Sequence, residues 1–179
     1  MSELFTTTYD SLTNIFDRET ILDILRREVN RRERMKNPLG IIMLDLDGFK
    51  KVNDTYGNLV GDVVLKETAR RLSLAVRSYD SVGRYDGGKF LAVIPGCDFP
   101  NLIVGAERLR HCIADRPIET NPGSVKVTLS VGLASAMGGE PCDTASLIHL
   151  ADGALNKAKM GGRNRVEITS VYVAAGAAR

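Results

Sequence analysis

The stretch LGIIMLDLD, which runs from Leu39 to Asp47, decides the fold of this 179-residue chain. Its apolar and partly β-branched residues predict a buried strand, and the strand ends at two acids, Asp45 and Asp47. Because side chains two residues apart in a strand lie on the same side, both carboxylates are expected on one face. Carboxylates in this position can hold Mg²⁺ against a triphosphate, or they can be solvated acids of a turn. Their spacing alone does not decide between the two.

Helical patterns flank this strand on both sides. Apolar residues recur at helical spacing in four segments, and the first segment opens with Asp17 and Glu19, which suit a helix N-terminus. The four helices are predicted over residues 17–36, 60–78, 102–113 and 147–158.

Further strands are predicted between the helices, over residues 81–86, 89–95, 125–133 and 165–168. The first two flank Gly87 and Gly88 and predict a β-hairpin, because paired glycines accept the positive φ of a tight turn. The strict alternation over 125–133 predicts a strand with one core-facing side. Helices interleaved with a hairpin and single strands indicate an α/β or α+β domain, in which helices cover a sheet with parallel and antiparallel pairs.

Composition and charge limit the class of protein. With 44% hydrophobic residues and a length suited to one domain, the chain is expected to fold around its own core. Its 24 basic and 22 acidic residues leave a net charge of +2, so no bulk field would recruit nucleic acid or an anionic membrane. The three cysteines form no C-x-x-C pair and no apolar run is long enough for a targeting or membrane segment, which favours a reduced, cytoplasmic setting.

Seven segments of the sequence occur in the order and spacing of one known family. They are DSLT (10–13), DLDGFKKVNDTYG (45–57), GD (61–62), RSYD (77–80), RYDGGKF (84–90), residues 127–132 and AKMGGRNR (158–165). In these segments the chain resembles the GGDEF family, the diguanylate cyclases. The resemblance implies a domain over 10–169, after a lead-in of residues 1–9 and before a flexible tail of residues 170–179. It also implies a central, mainly antiparallel sheet wrapped by helices, similar to nucleotide cyclase and polymerase palm domains.

The family's activity implies roles for particular residues. Its members join two GTP molecules into cyclic di-GMP, each GTP being held by one subunit of a facing pair, so a homodimer or a partner signalling domain is implied. The residues implied around a bound GTP are Asp45 and the carbonyl of Leu46 for Mg²⁺, Phe49, Lys159 and Arg163 for the phosphates, and Asn53 and Asp62 for guanine. A carboxylate suits guanine because it accepts hydrogen bonds from the adjacent N1 and N2 donors, an edge that adenine lacks. Without the resemblance, two cations at a helix C-terminus favour an interaction with the helix dipole.

The signature motif of the family is altered in this chain. The pattern G-G-D/E-E-F aligns with DGGKF (86–90), so Gly88 stands at the implied metal-ligating acid and Lys89 at the glutamate that follows. An ammonium about 5 Å from Mg²⁺ repels it by about 7 kcal/mol at an effective dielectric constant of about 20, before solvent screening. Asp86 can return a carboxylate only if the hairpin slips by one residue, which would also invert the faces of the following strand. Both catalytic positions are therefore expected to be degenerate, and the Mg²⁺ site to be weakened.

A second implied site lies ahead of the hairpin, at RSYD (77–80). It matches the R-x-x-D inhibitory site of the family, where cyclic di-GMP binds. Arg77 can donate two hydrogen bonds to guanine O6 and N7, and Asp80 can accept from the N1 and N2 edge. A local ion pair at a helix end is the alternative interpretation, and the bare pattern is compatible with both.

Three hypotheses about function follow from these residues. In the first, the chain is a degenerate GGDEF domain that makes little or no cyclic di-GMP and binds cyclic di-GMP or GTP as a regulatory module. In the second, it is an active or weakly active diguanylate cyclase in which Asp45 still holds enough Mg²⁺. In the third, it is a dimerisation or interaction scaffold that needs no nucleotide.

Overall fold

Five helices and seven strands make up the computed structural model, which describes residues 7–137 and 141–172. In chain order the elements are α1 (Arg18–Met35), β1 (Leu39–Leu46), α2 (Phe49–Tyr56), α3 (Asn58–Ala75), β2 (Ser81–Asp86), β3 (Lys89–Pro95), α4 (Phe99–Ala114), β4 (Ile118–Thr120), β5 (Gly123–Val125), β6 (Leu129–Ala136), α5 (Thr144–Met160) and β7 (Val166–Tyr172). The predicted buried strand, the hairpin and the four helices are all present.

The main sheet has five strands in the order β2-β3-β1-β6-β7. The pairs β2–β3, β3–β1 and β1–β6 are antiparallel, and only the pair β6–β7 in this sheet is parallel. Strands β4 and β5 form a separate two-stranded sheet. The expected class, a mainly antiparallel sheet wrapped by helices, is confirmed.

Helices cover both faces of the sheet, which explains the unbroken apolar run in β1. On one face Ile42 and Leu44 lie in a core with residues of α3 and α4, such as Leu72 and Leu109. On the other face the alternate residues of β1 lie in a second core with residues of α1 and α5. The sequence of a strand that is buried on both faces is a continuous run of hydrophobic residues.

Helix α5 lies directly against β6 at Gly132. A Cβ atom added there would be 2.2 Å from the carbonyl oxygen of Ala151 and 2.3 Å from the backbone nitrogen of Leu155. The absence of a side chain at Gly132 therefore lets the helix approach the sheet, and this approach sets the position of the polar residues at the C-terminal end of α5.

The prediction of a single strand over 125–133 with one core face is wrong. Residues 123–125 belong to β5, the chain leaves strand geometry over 126–128, and β6 begins at Leu129. Every residue of β6 is buried, because the strand lies inside the sheet and has helices on both faces. Its alternate positions are small residues such as Ser130, Gly132 and Ala134, which give a polar-looking alternation although they are buried.

The edges of the predicted domain differ in detail from the structure. Strand β7 runs to Tyr172, three residues into the segment predicted as a tail, and residues 173–179 of that segment lie outside the described residues. At the other end, the backbone N–H of Thr8, in the predicted lead-in, donates to Thr20 Oγ1 in α1 at 2.9 Å.

Helix α2 was not predicted from the sequence.

No helix in the described part of the chain is long and apolar enough to cross a lipid bilayer.

Candidate functional site

Asp45 lies at the end of β1, between two neighbouring strands. Its partners in the strand ladders are Lys89 on β3 and Ser130 on β6. The Lys159 ammonium, in the last turn of α5, donates to Asp45 Oδ2 at 2.6 Å. The Asp45 side chain is 21% exposed, so this charge-assisted bond lies partly within the protein. The structure thus brings together the implied metal ligand and an implied phosphate-binding lysine.

The Asp47 carboxylate accepts hydrogen bonds from three donors. Thr128 Oγ1 donates to Oδ2 and Ser130 Oγ donates to Oδ1, both at 2.6 Å, and the backbone N–H of Asn164 donates to Oδ2 at 3.1 Å. Ser130 is the ladder partner of Asp45, so both acids lie on the α5 side of the sheet, as their spacing predicts. Asp47 joins the end of β1 to β6 and to the loop after α5, which is a structural role.

The hairpin tip between β2 and β3 carries the altered motif. Gly87 has a φ of +49° and Asp86 is exposed beside it. The register shifts between Arg84 and Asp86, yet Phe90 still lies in the core that faces α3 and α4. The hairpin has therefore not slipped, and no carboxylate occupies the position of Gly88.

Gly88 lies against the residues implied to hold the metal and the phosphates. Its carbonyl accepts from the backbone N–H of Leu46 at 3.0 Å. A Cβ atom added at Gly88 would be 3.2 Å from Phe49 Cδ1 and 3.4 Å from the Cβ of Leu46. A side chain at position 88 would thus fit after a small movement of the Phe49 ring. Its Cβ atom would lie next to Leu46, at the end of β1.

Arg84 fastens the hairpin tip to the segment before α1. Its Nε donates to the carbonyl of Gly87 at 3.0 Å, and its Nη1 lies 3.2 Å from both carboxylate oxygens of Asp10. Asp10 in turn accepts from the backbone N–H and the hydroxyl of Thr13. Burial raises the pKa of Asp10, but these hydrogen bonds and Arg84 outweigh it and hold the pKa below its usual value. The tip is therefore held from the N-terminal side as well as by its own strands.

Lys89 makes an ion pair that sequence analysis did not predict. Its Nζ donates to Asp152 Oδ1 on α5 at 2.7 Å and lies 6.0 Å from the centre of the Tyr85 ring. Asp45, Lys89, Asp152 and Lys159 thus form a group of two acids and two lysines across β1, β3 and α5, which we call the charge cluster. The partners are 63 and 114 residues apart in the chain, so no local pattern could have revealed them.

The implied guanine-binding residues lie where α2 meets α3. Asn53 Oδ1 is buried and has no hydrogen-bond partner in the structure. A Cβ atom at Gly61 would be 1.7 Å from that oxygen, so the glycine makes room for the amide. Asp62, the next residue, is partly buried. The amide of Asn53 and the carboxylate of Asp62 are groups that can hydrogen-bond the edge of a guanine base.

Arg163 lies in the loop after α5, with a φ of +64°. Its backbone N–H donates to the carbonyl of Ala158, and its exposed guanidinium makes no hydrogen bond or ion pair with the described part of the chain. The loop itself is fixed at the next residue, Asn164, which bonds to Asp47 and to Arg110. Arg163 is therefore a free cation held on an ordered loop near the end of α5.

The R-x-x-D segment forms a tight turn between α3 and β2. Asp80 Oδ2 accepts from the backbone N–H of Arg77 at 2.9 Å, whereas Asp80 Oδ1 is buried without a partner. The Arg77 guanidinium donates to the Tyr79 hydroxyl at 2.8 Å, so Arg77 and Asp80 do not form the side-chain ion pair of the alternative interpretation. Burial raises the pKa of Asp80.

Arg108 of α4 is a residue of this second region that the sequence analysis missed. It lines the same small cavity as Arg77 and Asp80 and donates from Nε to the carbonyl of Ala75 at 2.8 Å. Arg108 also opposes the rise in the pKa of Asp80. Two arginines and a carboxylate with a free oxygen thus line one cavity.

A sheet of this order, with acids at the end of its central strand and a lysine of an adjacent helix beside them, is that of the palm-like nucleotide cyclase domains. The family profile described as "Diguanylate cyclase, GGDEF domain" matches residues 7–165. The chain therefore belongs to the GGDEF family.

Individual proteins agree with this assignment. The chain is 36% identical over 160 residues to Diguanylate cyclase DosC of Escherichia coli (strain K12), and this match covers 89% of the chain and 34% of that protein. It is 35% identical over 159 residues to Response regulator PleD of Caulobacter vibrioides (strain NA1000 / CB15N), covering 88% of the chain and 35% of PleD. The chain thus spans about a third of the length of these relatives.

Among solved structures, the GGDEF domain of DgcB from Caulobacter crescentus in complex with c-di-GMP superposes with a TM-score of 0.84. The sequences are 29% identical, and the match covers 92% of this chain and 96% of that one.

Proposed function

We propose that this chain is a catalytically impaired GGDEF domain of cyclic di-GMP signalling, which binds guanine nucleotide as a regulatory module. The observation that carries the proposal is Lys89, an ammonium at the ladder position opposite Asp45. It stands where the family has an acid, and the neighbouring Gly88 supplies no side chain at all. At these two positions the hairpin thus offers the active site one positive charge and no carboxylate.

The residues present do not fit a catalytic Mg²⁺ ion. Mg²⁺ prefers oxygen ligands in near-octahedral geometry and usually takes one or two carboxylates with substrate phosphates. Asp45 is paired with Lys159, and Asp47 already accepts three hydrogen bonds. Within the described residues no group of three acidic, histidine or cysteine side chains could hold a metal ion. A metal ion that would stabilise charge on a transferring phosphoryl group would therefore be held only weakly at this site.

The residues that recognise nucleotide are nevertheless retained. Asn53 and Asp62 offer acceptors to a guanine base, and one of these acceptors is buried without a donor. Lys159 and Arg163 lie at the end of α5, where they would contact phosphate oxygens. Binding can therefore persist after the chemistry is lost, because base and phosphate contacts do not require the missing acids.

The second region is proposed to bind cyclic di-GMP. Arg77 would leave Tyr79 and donate to guanine O6 and N7, and the free Oδ1 of Asp80 would accept from the N1 and N2 edge. Arg108, in the same cavity, adds a positive charge toward the phosphates of the ligand. The DgcB structure named above contains c-di-GMP, which supports this ligand for a relative of the same fold.

The context of the proposal is a signalling protein of the cytoplasm, where three free thiols remain reduced. A second copy of the domain or a partner signalling domain would read the bound nucleotide.

A product assay tests the loss of catalysis. We expect the purified chain, incubated with GTP and Mg²⁺, to form no more cyclic di-GMP than its Asp45→Ala variant. The matched gain-of-function variant is Gly88→Asp with Lys89→Glu, which returns both acids and is expected to raise product formation at least about tenfold. Cyclic di-GMP formation by the unaltered chain that disappears in Asp45→Ala would contradict the proposal and support the active cyclase.

Calorimetry tests the binding role. Heat of binding is expected with cyclic di-GMP and is expected to disappear in Arg77→Ala. The control is Lys36→Ala, which removes one positive charge as well and is expected to keep the heat of binding. Absence of binding to both GTP and cyclic di-GMP would reject the regulatory module and favour the nucleotide-independent scaffold.

A further inference from the structure

The charge cluster places positive charge where the family implies a metal ion. Lys89 and Asp45 are ladder partners, and directly opposed residues of an antiparallel pair have Cβ atoms about 4.5–5.5 Å apart on the same face. Lys159 approaches Asp45 from α5 at 2.6 Å. A lysine on β3 and a lysine on α5 therefore lie on either side of the acid at the end of β1.

Asp45, Asp47 and Asp152 already have partners within the protein. Asp45 pairs with Lys159, and Asp152 pairs with Lys89. Asp47 is satisfied by two hydroxyls and one backbone N–H. Arg163 adds a cation with no partner in the described part of the chain. The two ion pairs balance in charge, Asp47 keeps its negative charge under its hydrogen bonds, and Asp86 is exposed at the hairpin tip. Arg163, and Lys89 once it leaves Asp152, are therefore the cations that can meet an anion here.

We propose that the nucleotide site binds the triphosphate of a guanine nucleotide without a divalent cation, and that the Lys89 ammonium supplies the positive charge in place of the metal. This inference rests on the proposed function, since it assigns the manner of binding at the same site. It names Lys89 as the residue that determines which form of the nucleotide is bound.

The exchange of partners by Lys89 explains how the charge is delivered. Without nucleotide, the ammonium is held by Asp152 and lies 24% exposed at the edge of the site. When a triphosphate enters, Lys89 moves its Nζ from the partly exposed Asp152 carboxylate to a phosphate oxygen. Asp152, 39% exposed, is then solvated by water, so no buried charge is left unpaired.

The same geometry makes Mg²⁺ a competitor rather than an aid. A metal-bound triphosphate carries two fewer negative charges and brings the ion toward Lys89, where like charges repel. The metal-free triphosphate meets Lys89 and Arg163 with its full charge. Lys159 has three N–H donors and can contact a phosphate oxygen while it keeps its bond to Asp45. Preference for the metal-free nucleotide is the opposite of what a catalytic site with carboxylates at the tip requires.

Binding of a non-hydrolysable α,β-methylene analogue of GTP, measured by calorimetry in excess EDTA and again in excess Mg²⁺, tests the proposal. We expect the unaltered chain to bind at least as tightly in EDTA as in Mg²⁺. Lys89→Met, which keeps the length of the stem, is expected to weaken binding in EDTA by about tenfold, the usual value of one charge-assisted hydrogen bond.

Two further variants make the test specific. Lys157→Met removes the same charge from the exposed side of α5 and is expected to change binding less than about twofold. Lys89→Glu is expected to reverse the preference, so that the analogue binds more tightly in Mg²⁺ than in EDTA. Thermal unfolding of each variant shows whether it is folded before its affinity is compared.

The possible results separate this inference from the proposed function. Binding that is lost in EDTA and present in Mg²⁺ would overturn the metal-free mode and leave a nucleotide-binding module. Equal binding by Lys89→Met and the unaltered chain in EDTA would also overturn it. Absence of binding in both buffers would overturn it as well, and whether cyclic di-GMP still binds would then decide the wider proposal.

Discussion

At Asp47 three donors converge on one carboxylate, although in the sequence this residue resembles a second metal ligand. Its hydrogen bonds join β1 to the start of β6 and to the loop that carries Arg163. The residue two positions earlier, Asp45, makes one charge-assisted bond to Lys159 and remains the acid that faces the site. At the scale of single residues, the two acids thus have separate roles: Asp47 fixes the end of β1 to its neighbours, and Asp45 pairs with Lys159.

Asp47→Asn is predicted to destabilise the fold by about 2 kcal/mol, because an amide NH₂ replaces one acceptor oxygen and leaves a buried donor unpaired. Urea unfolding of the variant and of the unaltered chain gives the difference. The matched control is Asp54→Asn on the exposed side of α2, which is expected to change stability by less than about 0.5 kcal/mol. Equal stability of the Asp47 variant and the unaltered chain would show that its hydrogen bonds do not contribute.

Some site residues could be predicted from the sequence and others could not. The candidates Asp45, Asn53 and Lys159 follow from motif spacing, and the structure places Asp45 and Lys159 in direct contact. The pairing of Lys89 with Asp152 could not be predicted, because it depends on how closely α5 approaches β3 in three dimensions. Arg108 was missed for the same reason, since its neighbours on α4 show only an ordinary amphipathic pattern.

Among the elements, α5 determines the site through its contact with β6. The backbone of the helix touches the sheet at Gly132, and both Asp152 and Lys159 extend from it toward the ends of β1 and β3. Any change that moves α5 away from the sheet would therefore displace both Asp152 and Lys159 of the charge cluster.

Gly132→Ala is predicted to destabilise the fold by about 3 kcal/mol, because the added methyl group meets backbone atoms at 2.2 and 2.3 Å that no rotamer change can move. Thermal or urea unfolding measures the loss. Gly105→Ala on α4, where an added Cβ meets no atom within 4 Å, is the control and is expected to be neutral or stabilising. A Gly132 variant as stable as the Gly105 variant would contradict the close contact.

The elements that the sequence did and did not predict differ in the strength of their patterns. Strand β1 and helix α5 have long, regular apolar runs, and the glycines of the hairpin require a turn. Helix α2 has eight residues and only Val52 is buried, so its pattern is too short to distinguish from a loop. In β6 small residues alternate with larger ones, and burial on both faces could not be read from that alternation.

Over the whole molecule, hydrogen bonds from arginine side chains tie distant parts of the chain together. Arg71 on α3 donates to the carbonyls of Arg116 and Pro117, beyond the end of α4, and is held in place by Glu67. The hydrogen bond from Arg70, assisted by Arg71, lowers the pKa of Glu67 from its usual 4.5 to about 2. The folded state therefore binds fewer protons at this carboxyl than the unfolded state does between these pH values.

This difference predicts a pH-dependent contribution to stability. Because the folded pKa is the lower one, the contribution is complete above about pH 4.5 and is lost as the pH falls toward about 2. Glu67→Gln is expected to cost about 1 kcal/mol near neutral pH, and the cost is expected to shrink over that interval. Urea unfolding at a series of pH values measures both effects, and Glu33→Gln, at an exposed position of α1, is the control for the loss of one surface carboxylate. A cost that stays constant from pH 7 to pH 3 would contradict the assignment.

The Arg84 contacts have a mechanical consequence. One guanidinium bridges Asp10, ahead of α1, and the Gly87 carbonyl at the hairpin tip. A pull or twist on the chain before α1 therefore reaches the tip through this side chain, and it reaches β2 through the backbone N–H of Arg84, which donates to the carbonyl of Phe16 at 2.8 Å. Force applied at the N-terminal side would thus act together on β2 and on the turn that precedes Lys89.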